Sequence, residues 1–249
     1  MIQKYNTRLI ASITTLLLIT SPVYAEPLSL HIDVAEGGRL SDKNITALES
    51  FLEPAGCDIR VVRGQSDTDL KFIVAPADKE LVSAYESLAQ PRTWQGQALT
   101  SSLLVKKSTA ISSLEALQGQ RIAFVSNDAY LGRKLAEAAL NKSGVKVAND
   151  DIYITGGYQG SMTMLLHGDV FAAAIAGPLA KRWVKANDLS IIYTSADQAI
   201  GGLWIKKNLP SEVKRQCRSA FSKVQRESRR DAKMRLFPLW LEGFLPPDS

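Results

Sequence analysis

The chain has 249 residues, of which 45% are apolar and 22% charged, and a formal net charge of +5. That composition is ordinary for a globular protein and excludes a disordered or low-complexity chain. The charge bias is too small for a nucleic-acid-binding surface, and the length fits one large or two small domains.

Lys4 and Arg8 precede an apolar stretch from Leu9 to Ile19, followed by Ser21-Pro22 and Val23-Tyr24-Ala25. A basic start, a short apolar segment and a small-residue cleavage site predict a secretory signal peptide over 1–25, cut after Ala25. The segment is too short and too rich in Ser and Thr to anchor comfortably in a bilayer of about 30 Å. The residue after the cut, Glu26, is not a lipid-bearing cysteine. An exported, soluble periplasmic protein is expected.

LSLHIDV (28–34) alternates as a strand does, and Asp42 is the expected cap of a helix through ITALESFLEPAG, ended by Pro54 and Gly56. CDIRVV (57–62) and DLKFIVA (69–75) read as the next strands, and Pro76 and Asp78 open a helix over KELVSAYESLA. SSLLVKK (101–107) and GGLWIKK (201–207) are look-alike strands that end in a Lys pair. Between them RIAFV, LGRKLAEAALNKSG, DIYIT, GSMTMLLHG, VFAAAIA, PLAKRWVKAN and LSIIYT alternate strand and helix. A complete α/β unit set between two similar strands predicts a chain that leaves one lobe, builds a second and returns. Lobe one comprises 26–108 plus 194–249, and lobe two 109–193. The ligand of such a protein lies in the cleft, at strand C-termini and helix N-termini.

The turn Ser126-Asn127-Asp128, between IAFV and a helix with an apolar stripe at Leu131, Leu135, Ala138 and Ala139, is expected to face that cleft. Backbone N–H groups at such a helix start suit an anion. The segment Ser211–Arg235 carries nine Lys and Arg residues, Arg226, Arg229 and Arg235 among them, and reads as a helix docked on lobe one with a charged outer face. FPLWLEGFLPP (237–247) is apolar enough to need a cover, which lobe one would supply. Cys57 and Cys217 would close a loop of about 160 residues if bonded, on the order of 5 kcal/mol in the chain-entropy picture. Two separate buried thiols remain the alternative.

From Thr100 to Pro210 the chain resembles the periplasmic phosphate, phosphite and phosphonate-binding proteins of ABC importers. The resemblance is carried by SSLLVKKSTAISSLEALQGQRIAFV, LGRKLAEAALNKSGV, TGGYQGSMTMLLHGDVFAAAIAG and LWIKKNLP. It implies an α/β fold of the type II periplasmic-binding class, with two lobes that are sheets flanked by helices and a hinge between them. In that family the turn after the Phe-Val strand carries Ser-Thr-Ser-Gly, where this chain has Ala129, Tyr130, Leu131 and Gly132. The family's ligand-facing histidine and aspartate correspond to Tyr158 and Phe171. Each lost hydrogen bond to a charged ligand is worth about 1.5–3 kcal/mol, so tight phosphonate binding is not expected.

The candidate ligand-binding residues are therefore Arg39, Ser126, Asn127, Ala129, Tyr130, Gly157, Tyr158 and Gln159. Arg39 lies in the loop Glu36-Gly37-Gly38-Arg39 after the first strand and is the candidate for an oxyanion. Ser126, Asn127 and Asp128 serve either as helix caps or as ligand contacts, and Phe171 either packs in the core or faces the cleft. His31 and His167 have no metal-ligand spacing around them, and catalytic motifs are missing. The expected function is a non-catalytic solute-binding protein that closes on a small polar or anionic molecule. It would need no cofactor or metal, would not bind nucleic acid, and would be read by an importer permease or a sensor kinase. The rival expectation is an interaction protein on the same fold that has lost its ligand and contacts a membrane-bound partner through Trp240 and Phe244 or the basic helix.

Overall fold

Alternating residues of LSLHI bury Leu30 and Ile32, which turns one face of β1 (Leu28–Ile32) toward the core. The computed structural model describes residues 26–64, 67–228 and 230–247. The signal peptide expected over 1–25 and Arg229 of the basic segment lie outside the described residues. β1 is followed by α1 (Asp42–Leu52), β2 (Ile59–Val62), β3 (Leu70–Ile73), α2 (Lys79–Ala84), β4 (Tyr85–Thr93) and β5 (Ser101–Lys106). Next come β6 (Ile122–Phe124), a helical run of which α3 (Leu135–Lys142) is the regular part, β7 (Ile152–Ile154), α4 (Tyr158–His167) and β8 (Ala172–Ala176). The chain ends with α5 (Gly177–Ala186), β9 (Leu189–Thr194), β10 (Gly202–Lys206), α6 (Ser211–Phe221) and β11 (Leu241–Leu245).

The strands form two sheets flanked by helices. One is six-stranded, in the order β11-β4-β10-β3-β1-β2, and draws on both ends of the chain. The other is five-stranded, in the order β7-β6-β8-β5-β9. β1 runs parallel to β2 and β3, and β6 parallel to β7 and β8, whereas β5 and β10 run antiparallel to both of their neighbours. Ser101–Lys106, expected in the first lobe, thus lies inside the second sheet. Its residues from Ser101 to Val105 are all buried, which only a strand paired on both edges and covered on both faces achieves.

Several elements differ from the sequence expectation. Ser41, not Asp42, caps α1, its hydroxyl accepting from the Asn44 N–H. α2 stops at Ala84 instead of continuing through YESLA, because Tyr85, Leu88 and Ala89 are buried in a strand held between β10 and β11. Tertiary pairing overrides helix propensity there. On the 130–142 helix the stripe is Leu131, Ala136, Ala139 and Leu140, while Ala138 is exposed. α6 ends at Phe221, and the described residues of the basic segment beyond it include a short turn over Lys233–Leu236.

The apolar tail is covered by the first sheet. Trp240 and Phe244 are buried, and Phe72, Phe221, Phe237 and Phe244 meet edge to face at 5.0–6.0 Å. The apolar surface that the rival expectation places around Trp240 and Phe244 is therefore not exposed. Cys57 and Cys217 are joined in a disulfide that ties the approach to β2 to α6. Among the described residues no helix is long and apolar enough to cross a membrane.

Candidate functional site

The loop after β1 turns tightly because its own groups hold it. Asp33 Oδ1 accepts from the Ala35 N–H at 2.9 Å, and the Gly37 N–H donates to the Val34 carbonyl at 2.9 Å. Gly37 has φ +87°, and a Cβ there would stand 2.9 Å from Gly157 Cα in the loop before α4. Backbone meets backbone at that point, and only glycine allows it. The loop thus carries Glu36 across the gap between the two sheets.

Facing it is the turn after β6. Ser126 Oγ accepts from the Ala129 N–H at 3.0 Å and the Asp128 N–H at 3.3 Å, and it donates to the Ala35 carbonyl on the opposite side at 2.8 Å. Ser126 therefore holds the turn that precedes the helical run and makes a contact across the gap, while Asp128 is exposed and pairs with Lys134 at 3.7 Å. The helical run opens with a wider π turn over Tyr130–Lys134, and Gly132 packs where a Cβ would stand 2.5 Å from Val125 Cγ2. Such turns recur at functional sites.

The N–H groups at this helix start are aimed at Glu36. Glu36 Oε1 accepts from the Leu131 N–H at 2.7 Å and the Gly132 N–H at 3.5 Å, and Oε2 accepts from the Tyr158 hydroxyl. Glu36 and Tyr158 are both buried, at 0% and 2% exposure. Burial pushes the Glu36 carboxyl up to about 7, and nearby Asp33 adds to the rise. The Tyr158, Leu131 and Gly132 donors oppose it. Burial and the Glu36 charge push the Tyr158 hydroxyl well above its ordinary value.

Beside Glu36 a cavity of about 270 Å³ opens toward solvent. Arg39 and Arg235 line it from the side of the first sheet, and Gln159 with the Gly156–Gly157 backbone from the other. Arg226 also lines it, but its guanidinium is held by the carbonyls of Leu241, Met234 and Pro238. Among the described residues, no hydrogen bond or ion pair engages the side chain of Arg39 or Arg235. No side chain caps α4, whose first turn borders the cavity.

Of the residues expected at the site, Arg39, Gly157, Tyr158 and Gln159 border the cavity. Ser126 lies at the contact between the lobes, and Ala129 is buried behind the turn. Asn127 accepts from Arg133, and the Tyr130 hydroxyl donates to Gln198 at 3.4 Å; neither lines the cavity. Phe171 is 37% exposed, under the Arg121 guanidinium, so it neither packs in the core nor borders the cavity. The sequence reading passes over Glu36 in favour of Arg39 in the same loop, and it does not reach Arg235. The missing hydroxyl donors at 129–131 are the signal that points to Glu36, since a helix start without side-chain donors still offers its N–H groups to an acceptor. Among the described residues there is no cluster of three side chains that could hold a metal ion.

Over residues 74–249 the chain matches a family of periplasmic substrate-binding proteins of phosphonate ABC transporters. No curated protein matches it in sequence. PhnD1 from Prochlorococcus marinus, solved with methylphosphonate, is 14% identical, with a TM-score of 0.60 over 88% of this chain and 92% of that one. A binding protein component of a phosphonate ABC transporter from Pseudomonas aeruginosa is 18% identical, with a TM-score of 0.60 over 88% and 81%. A Xanthomonas citri protein bound to ATP is 15% identical, with a TM-score of 0.58 over 90% and 93%. At these identities the likeness is one of fold, and the fold is the two-lobed type II architecture.

Proposed function

The chain belongs to the periplasmic substrate-binding proteins of phosphonate ABC transporters, a family of binders and not of enzymes, and from that premise we propose that it is an exported, soluble receptor for a small oxyanion. The moving lobes are the bodies of the two sheets, and the chain passes between them near residues 94–100 and 195–201. Closure of the lobes is the event read by a membrane partner, either an importer permease or the outer part of a sensor kinase.

One observation carries the reading. Arg39 and Arg235, whose side chains are unengaged among the described residues, border a cavity across from the uncapped start of α4. Guanidinium groups and free backbone N–H groups on opposite walls suit a carboxylate or phosphonate head. A cavity of about 270 Å³ is large enough for a compact molecule.

The test is calorimetric titration and thermal melting with methylphosphonate, phosphite, phosphate, acetate and dicarboxylates. Ligand at a hundred times its dissociation constant stabilises by about 2.7 kcal/mol, several degrees for a chain of this size. One oxyanion class is expected to give that shift, and the Arg39→Ala, Arg235→Ala double variant to lose it. A protein that shifts with none of them at millimolar concentration is no oxyanion receptor. That outcome would favour the second reading, an interaction protein that has given up its ligand, which the buried Glu36 carboxylate at the helix start also supports.

A further inference from the structure

Every partner of the Glu36 carboxylate lies on the opposite lobe. Leu131 and Gly132 donate from the helix start and Tyr158 from α4, while its own loop gives it nothing among the described residues. No lysine or arginine pairs with it among the described residues, although it is fully buried. A buried carboxylate without a cation is a poor way to glue two lobes, since desolvation opposes it and an apolar contact would hold as well. Two backbone N–H groups at a helix start and a tyrosine hydroxyl, converging on a lone carboxylate, form the coordination of a bound oxyanion. The occupant here is a side chain on a Glu-Gly-Gly loop whose glycines allow the backbone to close on Gly157 Cα and the Leu236 carbonyl, which brings Glu36 up to the seat.

We propose that Glu36 is a built-in occupant of an oxyanion seat in the second lobe: it fills the seat and holds the lobes closed when no ligand is bound, and an external carboxylate or phosphonate exchanges with it. The seat opens directly onto the cavity bordered by Arg39 and Arg235, because Glu36 and Tyr158 line that cavity too. An incoming anion would meet the arginines first and the seat second. The inference rests on the proposed binding function for its exchange step alone; that Glu36 occupies the seat stands without it.

Glu36→Ala empties the seat, and formate, acetate and methylphosphonate are the probes. The variant is expected to be more open in solution scattering than the parent. Formate or acetate should close it again and raise its melting temperature, with affinity on the order of tenfold or more above that of the parent. Methylphosphonate in place of the carboxylates, as the tighter probe, would assign the seat to a tetrahedral head. A variant that stays closed without anion, or that answers all three probes no better than the parent, overturns the proposal. A measurement on the parent keeps it testable if the variant does not fold. The Leu131 and Gly132 amides should be protected from hydrogen exchange with no anion present, and rapid exchange there would overturn it. If the variant binds formate while the parent binds nothing, the receptor reading and the exchange step fall, and the occupation of the seat by Glu36 stands. If the parent binds an anion as tightly as the variant does, the reverse holds.

Discussion

α2 and the helical run over 130–142 are each entered through a short polar residue that accepts from an N–H three residues on. At α2 that residue is the N-cap and at the second helix it lies within the turn before it, and their first helical donors are met differently. At α2, Asp78 accepts from the Leu81 N–H at 2.7 Å, and among the described residues no side chain from outside the segment takes part. At the second helix Ser126 takes the Ala129 N–H, and the Leu131 and Gly132 N–H groups go to a glutamate 95 residues away in sequence, on the other lobe. The first start is a local device that stabilises one helix. The second makes a helix end depend on the relative position of two lobes, so a contact within secondary structure becomes a sensor of closure. The proposed exchange at Glu36 rests on that difference.

The largest expected effect that sharpens the contrast is with pH. The Glu36 carboxyl titrates at about 7 when buried, against 4.5 when free. Its protonated form is therefore favoured by folding and closure, and stability from this group is fully present below pH 4.5 and lost as pH rises through 7. The interval corresponds to about 3 kcal/mol. The groups that face it are Asp33 on its own loop, Tyr158 on α4, and Arg39, Arg226 and Arg235 around the shared cavity. Denaturant unfolding of the parent and of Glu36→Gln between pH 4 and 8 isolates Glu36. The parent should lose up to about 3 kcal/mol relative to the variant across that range. Parallel curves would mean that the carboxylate is solvated and the seat empty.

A smaller effect is expected from Tyr158→Phe. The Tyr158 hydroxyl lies on Glu36 Oε2, and removing it leaves a buried oxygen without a donor, at a cost of about 1–3 kcal/mol. Because that donor opposes the rise of the Glu36 carboxyl, its loss should also move the titration midpoint above the parent's. Unchanged stability at pH 8, together with an unchanged midpoint, would show that the tyrosine does not reach the carboxylate.

The same contrast explains what could be read from the sequence. The start of α2 is legible because Pro76 and Asp78 announce it within three residues; its end is not, because β10 and β11 recruit Tyr85 and the residues after it into a strand. The two-sheet architecture follows from alternating elements and from the resemblance across 100–210. The membership of Ser101–Lys106 in the second sheet does not, since an apolar run pairs equally well on either side of a crossover. At the site, Arg39, Tyr158 and Gln159 lie in loops that connect strands to helices, where the fold rule puts them. Glu36 is not legible as a site residue because an acid beside two glycines has the pattern of a surface turn. Its meaning depends on N–H groups 95 residues further along, and no local pattern records which carboxylate a helix start will meet.

The smallest effect tests the comparison itself. Asp78→Ala removes a cap, at about 1 kcal/mol, and Ser126→Ala removes the acceptor of the Ala129 N–H in the turn before the helix, at about 1 kcal/mol. Ser126→Ala also removes the bond to the Ala35 carbonyl across the gap, worth about 1 kcal/mol more, and that part exists only while the lobes are closed. In a double-mutant cycle with Glu36→Ala, Ser126 should therefore couple by about 1 kcal/mol, whereas Asp78 should add within the error of about 0.3–0.5 kcal/mol. Coupling at Ser126 together with additivity at Asp78 would separate a helix start that reports closure from one that only begins a helix. Additivity at both would make them the same device and remove the structural basis for reading closure at residues 126–132.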